Sequence, residues 1–173
     1  MTIELTADEI AQAVATASRR RISCLFGRKK PQHYDEKTGN EWATEIEACC
    51  AEMAVCKHLG VYWSGGVFNG QRAQHDAGYK RQVRHTVYGN GHLPIYPEDD
   101  AGDRMILVTG KAPVYQIKGW MLVASARKDA FWKQPPQVKC ACWWVPQSEL
   151  KPIPKTSEDN AQEPRNRASE YSW

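Results

Sequence analysis

Apolar residues recur at helical spacing in one long segment of the first half of the chain. Between Glu41 and Leu59 they follow one another at intervals of three or four, at Trp42, Ile46, Cys50 and Met53. This period places them on one side of a helix. Asn40 can cap the start of that helix, and Gly60 can end it in a left-handed conformation. The pattern therefore predicts a helix from about Glu41 to Leu59.

The rest of the chain shows one further long helical segment and several extended ones. An earlier helix is predicted to start at the capping-box sequence Thr6-Ala7-Asp8-Glu9 and to run to about Ser18. Alternation or short apolar runs predict strands at 74–88, 92–96, 105–108, 114–123 and 139–145, and a short helix at 125–133. Gly89-Asn90-Gly91 favours a turn between the first two strands. We predict an α/β (α+β) fold with a central mixed sheet of four to five strands flanked by helices.

Composition divides the chain into three parts. With 173 residues, 42% of them hydrophobic, the chain can bury one core of ordinary size. We place that core at residues 40–150, after an N-terminal helix and polar loop at 1–39. Residues 151–173 contain prolines and charges but almost no aliphatic residues, which predicts a disordered tail. The terminal Tyr171-Ser172-Trp173 is the part of that tail that could dock on a partner.

Features of targeting and redox chemistry point to the cytoplasm. The first residues show no signal-peptide pattern, and no apolar run approaches the length of a membrane span. The six cysteines form no CxxC pair, and their spacing does not match an iron–sulfur site. We expect free thiols in a reducing compartment and no membrane partner.

Glu52 stands out in the predicted central helix because its neighbours one turn away are apolar. They are Ala48, Cys49, Val55 and Cys56. An unpaired charge in such surroundings is costly, so this carboxylate needs a partner or a metal ion. Glu52 is therefore either a metal ligand or a structural residue whose carboxylate reaches out to solvent or pairs with Arg84 or another base. Glu45 and Glu47 on the same helix are reserves for the ligand role.

A second group of candidate residues lies between His75 and Thr86. It contains Asp76, a glycine turn, and the polar-apolar-cation triplet Gln82-Val83-Arg84. This is the layout of a metal-dependent nuclease hairpin, in which carboxylate or amide oxygens hold a divalent metal that activates water against a phosphodiester. The same residue types are also common in a solvated polar hairpin. Both interpretations are open at this point.

Several stretches together resemble a group of small bacteriophage and prophage proteins whose core is similar to the PD-(D/E)XK nuclease superfamily. The stretches are 47–63, Asp76 with 82–86, 106–110, 115–120 and 144–150, so the resemblance covers roughly residues 40 to 152. It implies a restriction-endonuclease-like fold and hydrolysis of DNA phosphodiesters with Mg²⁺ or Mn²⁺. In that family pattern, Glu52 matches the helical glutamate and Asp76 the first-strand aspartate. Gln82 takes the position usually held by Glu or Asp, and Arg84 the position usually held by Lys.

Two of these four positions depart from the family pattern. Gln82 keeps an oxygen that can coordinate a metal but loses the charge, which weakens Mg²⁺ binding. Arg84 keeps a positive charge beside a phosphate but is a poor proton carrier. Two hypotheses follow. The first is a metal-dependent deoxyribonuclease with Glu52, Asp76 and Gln82 as metal ligands and Arg84 as charge stabiliser. The second is a non-catalytic protein of the same fold that binds DNA or a host protein as an inhibitor or adaptor.

The distribution of charge is more informative than the net charge of +3. Basic residues cluster in Arg19-Arg20-Arg21, in Arg28-Lys29-Lys30 and in Lys80-Arg81 with Arg84. We expect Lys80, Arg81 and Arg84 to contact a nucleic-acid backbone. The alternative is that these clusters are solvated helix ends and loops. Seven tryptophans also suit a surface that stacks bases or binds a protein partner.

A second polar-apolar-cation triplet competes with the chosen site, and several motifs of other enzyme classes are absent. Gln116-Ile117-Lys118, with Asp100 or Asp103 upstream, has a more usual catalytic lysine. It ranks second because it opens a predicted core strand. The sequence has no HExxH motif, no GxxxxGK[ST] phosphate loop and no GxGxxG motif. These absences give no support to zinc proteolysis, nucleotide hydrolysis or dinucleotide binding.

Overall fold

Residues 1–27, 40–67, 75–134 and 140–154 are described by a computed structural model of the chain. In chain order the elements are β1 (Thr2–Glu4), α1 (Ala7–Leu25), α2 (Glu41–Leu59), β2 (Arg81–Thr86), β3 (Leu93–Ile95), β4 (Arg104–Lys111), β5 (Val114–Leu122), α3 (Val123–Ala126), β6 (Trp132–Lys133) and β7 (Cys142–Val145). Two short 3-10 turns, Asp129–Phe131 and Gln147–Glu149, precede β6 and follow β7.

Helix α1 begins at the predicted capping box. The Thr6 hydroxyl accepts a hydrogen bond from Glu9 N at 3.2 Å, and Glu9 Oε2 accepts one from Thr6 N at 2.7 Å. The predicted end near Ser18 was too early, because α1 continues to Leu25. Arg20 and Arg21 are buried in this last part of the helix, so the basic run is partly interior and not a solvated loop.

Helix α2 has the predicted bounds and lies at the centre of the molecule. Gly60 ends it with a φ of 63°, a left-handed conformation that glycine adopts without steric strain. Asn40 occupies the cap position, but its side chain makes no capping hydrogen bond. Every residue from 49 to 56 is buried. Because α2 is covered on nearly all sides, every polar side chain in its middle needs a partner.

The main sheet has the strand order β1-β5-β4-β2. Strands β2 and β4 are parallel, while β4 pairs antiparallel with β5, and β5 with β1. The predicted α+β class and the mixed four-stranded sheet flanked by helices are confirmed; the restriction-endonuclease-like part of that expectation stays a prediction. Strand β1 was not predicted, because its three residues are defined mainly by their pairing with β5.

The two faces of the main sheet cover two separate parts of the core. In the parallel register, Val83 lies beside Ile106, and both pack in the cluster that contains α1 and α2. The intervening positions point the other way, since side chains alternate along a strand. Met105 and Leu107 pack there in a second cluster, with Leu93, Ile95 and Val145 of the second sheet.

The second sheet has the order β3-β7-β6. The turn predicted at Gly89-Asn90-Gly91 therefore connects strands of different sheets, not the two arms of one hairpin. The strand predicted at 139–145 is present in shorter form as β7. The helix predicted at 125–133 is wrong: α3 ends at Ala126, and the segment then forms a 3-10 turn and β6.

The chain continues to pack against the core after residue 150. Lys151 and Trp120 exchange backbone hydrogen bonds of 2.8 and 2.9 Å, and Ile153 packs against the cluster that contains α2. Gly119 makes this approach possible, because a Cβ atom there would lie 2.6 Å from the Lys151 carbonyl oxygen. Packing therefore extends beyond the predicted core end at residue 150. The prediction of a disordered tail concerns mainly residues 155–173, which lie outside the described residues, as does most of the polar loop before Asn40.

Candidate functional site

Glu52 is the centre of a buried ionic cluster between the two long helices. Arg20 donates from Nη1 to Oε1 at 2.7 Å and from Nη2 to Oε2 at 2.9 Å, so guanidinium and carboxylate meet in two parallel hydrogen bonds. Trp63 Nε1 adds a third bond to Oε2 at 3.1 Å. Both carboxylate oxygens are therefore engaged by donors from this chain.

Arg20 is held in place by further contacts. Its Nε donates to the Gly66 carbonyl at 2.8 Å, and its Nη1 lies 3.5 Å from Glu45. Burial lowers the pKa of Arg20, but its hydrogen bonds to Glu52 and the charges of Glu52 and Glu45 more than offset this and raise the pKa overall. The guanidinium is thus a fixed cation. Glu45, a reserve metal ligand in the sequence prediction, lies beside this cation.

The sequence predicts that Glu52 needs a partner, but Arg20 was not identified as that partner. The helical spacing of buried residues on α1 indicates Arg20. Ala13, Ala17 and Arg20 are spaced by four and three residues, and all three are buried on α1. The cation therefore continues an apolar helical stripe. Within the triple-arginine run, only this periodicity marks Arg20 as interior.

Asp76 lies against α2, where Cys56 Sγ donates to its carbonyl at 3.4 Å, and is engaged with the edge of the main sheet. It is not in a strand, since β2 begins only at Arg81. Its Oδ2 accepts a hydrogen bond from Val83 N at 2.8 Å, and its own N donates to the Arg81 carbonyl at 3.0 Å. Asp76 thus satisfies the outward-facing N–H of an edge strand.

The carboxyl group of Asp76 titrates far from its usual range. Although the residue keeps some exposed surface, burial of the carboxylate raises its pKa to about 7, and the nearby charge of Glu52 adds to the rise. The Val83 N–H and the cations Arg84 and Arg20 act in the opposite direction. Glu52 and Asp76, distant in sequence, are therefore electrostatic neighbours.

Gln82 and Arg84 lie on the other face of the main sheet. They are in register with Met105 and Leu107, whereas Val83 between them faces the helices. Gln82 Nε2 lies 3.4 Å from His75 Nδ1. Arg84 Nη2 donates to Asp99 Oδ1 at 2.8 Å. The fold thus separates these two side chains from Glu52, with Asp76 near the sheet edge between the two groups.

The predicted metal ligands do not fit a metal ion in this arrangement. Glu52 is occupied by Arg20 and Trp63, Asp76 by Val83 N, and the Gln82 side chain belongs to the opposite face. Within residues 1–27, 40–67, 75–134 and 140–154, no group of three His, Cys, Asp or Glu side chains could hold a metal ion. The ligand set implied by the family resemblance is therefore not assembled here.

The remaining candidates have structural roles. Glu47 Oε2 accepts hydrogen bonds from the Tyr115 hydroxyl at 2.6 Å and from Ala112 N at 3.2 Å, which joins α2 to the β4–β5 connection. In the rival triplet, Lys118 Nζ donates to Gln116 Oε1 at 2.8 Å on an exposed part of β5. Asp103 instead lies 4.0 Å from His75. These contacts do not bring Lys118 and Asp103 together.

The cysteines are free thiols. Burial raises the pKa of Cys56 to about 12 and that of Cys142 to about 11, and it also raises the pKa values of Cys49 and Cys50. A thiol must lose its proton to act as a nucleophile or metal ligand. These four cysteines therefore behave as small apolar core residues.

Basic side chains gather at the end of the main sheet where β2 and β4 both begin. Arg81 and Arg104 are in register across the two parallel strands, and Arg104 N donates to the Lys80 carbonyl at 2.8 Å. Arg104 Cζ and Lys151 Nζ lie 5.3 and 5.4 Å from the Trp120 ring centroid. A cleft at this end is lined by Leu59, Arg81, Arg104, Ile106, Trp120, Ile153 and Pro154.

We refer to Lys80, Arg104 and Lys151 as the basic end. Of the predicted nucleic-acid contacts, Lys80 belongs to it, whereas Arg81 is only 5% exposed, so its side chain lies inside the fold and does not face a phosphate backbone. Arg84, the third predicted contact, is instead ion-paired with Asp99 on the face away from α2. Sequence reasoning missed Arg104 and Lys151 because only strand pairing brings them next to residues 80 and 81.

None of the helices in the described part of the chain is both long enough and apolar enough to span a membrane.

No family model matches this chain, and searches of the curated proteins and of the solved structures gave no match.

Proposed function

We propose that this protein binds DNA through its basic end and does not hydrolyse it. The observation that carries the proposal is the pairing of Glu52 with Arg20. A metal ion at Glu52 would have to displace a buried guanidinium that makes two short hydrogen bonds, and removing one partner of a buried ion pair costs several kcal/mol, about 3 to 5. We therefore assign the Glu52 carboxylate a structural role and not a metal-binding one.

The basic end supplies what a phosphate backbone needs. Arg104 begins β4 and its N donates to the Lys80 carbonyl, while Lys151 pairs with Trp120 of β5, so the relative positions of these three cations are set by the main sheet. The Trp120 indole restrains Arg104 and Lys151 by cation–π contact. Cations fixed in this way bind successive phosphates through charge, without reading base sequence.

Fluorescence anisotropy with a labelled DNA duplex over a series of salt concentrations tests this interface. Arg104→Gln is compared with Lys111→Gln, which removes the same charge from the opposite end of β4, on the order of 23 Å away. We expect Arg104→Gln to weaken binding and to reduce the slope of log K against log salt by about 1. Equal effects of the two variants would contradict an interface at the basic end.

Incubation of linear, circular and single-stranded DNA with Mg²⁺ or Mn²⁺ tests the absence of hydrolysis. We expect the DNA to remain intact at protein concentrations that saturate it. Cleavage by the wild type that is lost in Asp76→Asn would contradict the proposal, because a contaminating nuclease would not respond to that substitution.

Metal-dependent DNA hydrolysis is the second candidate function. It is favoured by the approach of Asp76 to Glu52, which helps to raise the pKa of Asp76 to about 7. Two neighbouring carboxylates attract a divalent cation. We rank this candidate second because Gln82 and Arg84 lie on the other face of the sheet.

A further inference from the structure

A group of aromatic and basic residues lies at the edge of the second sheet, apart from the basic end. Its members, which we call the tryptophan edge, are Arg127, Lys128, Phe131, Trp132, Lys133 and Trp143. Trp132 and Trp143 are opposite each other in the β6–β7 pair, with ring centroids 4.7 Å apart and planes inclined by 59°. Trp132 remains 45% exposed, a large value for a residue that usually buries most of its surface.

The tryptophan edge is fixed by packing against the core and by hydrogen bonds to the backbone of residues 97 and 99. Phe131 and Trp143 are half-buried and pack against the core cluster between the two sheets. Arg127 donates to the Asp99 carbonyl at 2.8 Å and to the Pro97 carbonyl at 3.3 Å, which fixes its guanidinium 5.4 Å from the Trp143 ring centroid. Lys128 Nζ lies at the same distance, 5.4 Å, from the Phe131 ring. The exposed Trp132 ring therefore projects from a rigid base.

The charge of the tryptophan edge indicates which class of ligand binds there. Between residues 127 and 133 there are three cations, Arg127, Lys128 and Lys133, and one acid, Asp129, and all four are exposed. A second copy of the chain is disfavoured, because a two-fold interface would place these cations against themselves. An anionic ligand with flat apolar groups fits better. Unpaired nucleotides have both properties, since the base stacks on an aromatic ring while the phosphate binds a cation.

We propose that the tryptophan edge binds unpaired nucleotides of single-stranded nucleic acid, with a base stacked on Trp132 and the backbone beside Arg127, Lys128 and Lys133. This inference deepens the proposed function by naming a single strand as a second DNA form that the protein takes, and it rests on that function. A base in a duplex cannot reach Trp132, because both of its faces are stacked on neighbouring base pairs.

The test measures anisotropy of a labelled oligothymidine of about 15 nucleotides, the upper size of common single-strand sites, and of a duplex of equal length. The variants are Trp132→Ala, Trp132→Phe and the control Trp42→Ala, whose indole is 43% exposed in a different part of the chain. We expect Trp132→Ala to weaken oligothymidine binding roughly 5- to 20-fold, as for loss of one stacked base. Trp132→Phe should retain most of the affinity, and Trp42→Ala should match the wild type.

Duplex binding separates this inference from the proposed function. Duplex affinity should be unchanged in Trp132→Ala and reduced in Arg104→Gln. If the duplex binds but Trp132→Ala and Trp42→Ala bind oligothymidine equally, the inference is overturned and the proposed function stands. If oligothymidine binding depends on Trp132 but the duplex does not bind, the proposed function fails at the basic end and the tryptophan edge stands. A poly-glutamate peptide that binds with the same dependence on Trp132 would overturn the assignment to nucleotides.

Discussion

Arg20 and Glu52 are 32 positions apart in the sequence, yet they meet through two hydrogen bonds of 2.7 and 2.9 Å in the interior of the molecule. Each comes from a different long helix, so the pair fixes how α1 packs on α2. The same contact decides the chemistry of the site, because it occupies the carboxylate that a metal ion would need.

Arg20→Ala should cause a large loss of stability. It leaves Glu52 as a buried carboxylate without its cation, which costs about 3 to 5 kcal/mol of the free energy of unfolding. Urea denaturation followed by circular dichroism measures this loss. The matched control is Lys57→Ala, which breaks the 2.8 Å ion pair between Lys57 and Glu9 at the surface and should cost less than about 1 kcal/mol. Similar losses in both variants would argue against a buried, structural role for Arg20.

Asp76→Asn should change the dependence of stability on pH. The pKa of Asp76 is about 7 in the folded protein, above its ordinary value of 3.8. Between these pH values the folded state holds a proton that the unfolded chain has lost. The stabilisation from this group is therefore present at low pH and declines as the pH rises toward 7.

Denaturation of both proteins across that pH range measures the effect. We expect the wild type to lose about 1 to 3 kcal/mol relative to Asp76→Asn between pH 4 and pH 7. The asparagine can still accept the hydrogen bond from Val83 N, so the edge of β2 is preserved. The exposed Asp129→Asn serves as the comparison and should follow the wild type. Parallel curves for all three proteins would show that Asp76 is not shifted.

Divalent ions should have no specific effect on stability. Because the ligands of the expected metal site are occupied or face apart, millimolar Mn²⁺ should shift the melting midpoint of the wild type and of Asp76→Asn equally. Differential scanning calorimetry measures both. A rise confined to the wild type would favour the hydrolytic candidate over DNA binding alone.

Truncation should locate the end of the folded core between residues 150 and 155. A chain that stops at Leu150 loses both backbone hydrogen bonds of Lys151 with Trp120 and the packing of Ile153, so we expect it to be less stable by about 2 kcal/mol than a chain that stops at Pro154. Thermal melts of the two truncated proteins provide the comparison. Equal midpoints would mean that the contacts of Lys151 and Ile153 contribute little.

The sequence predicted correctly those helix ends and strands that depend on residues close together in the chain. The capping box at Thr6, the left-handed stop at Gly60 and the apolar runs of β4 and β5 each depend on residues within a few positions of one another, and they were predicted close to where they occur. The helix expected at 125–133 failed because β6 owes its extended form to pairing with β7, which no local preference reports. The three-residue β1 was missed for the same reason.

The residues around Glu52 already imply that it needs a partner, because a carboxylate among Ala48, Cys49, Val55 and Cys56 cannot stay both buried and alone. That the partner is Arg20 depends on how α1 packs on α2. The alternation of Gln82, Val83 and Arg84 was likewise visible in the sequence, but which face met α2 depended on the apolar packing of Val83 beside Ile106. A short motif specifies residue types, whereas the free energy of burying one face over the other selects which of them can act together.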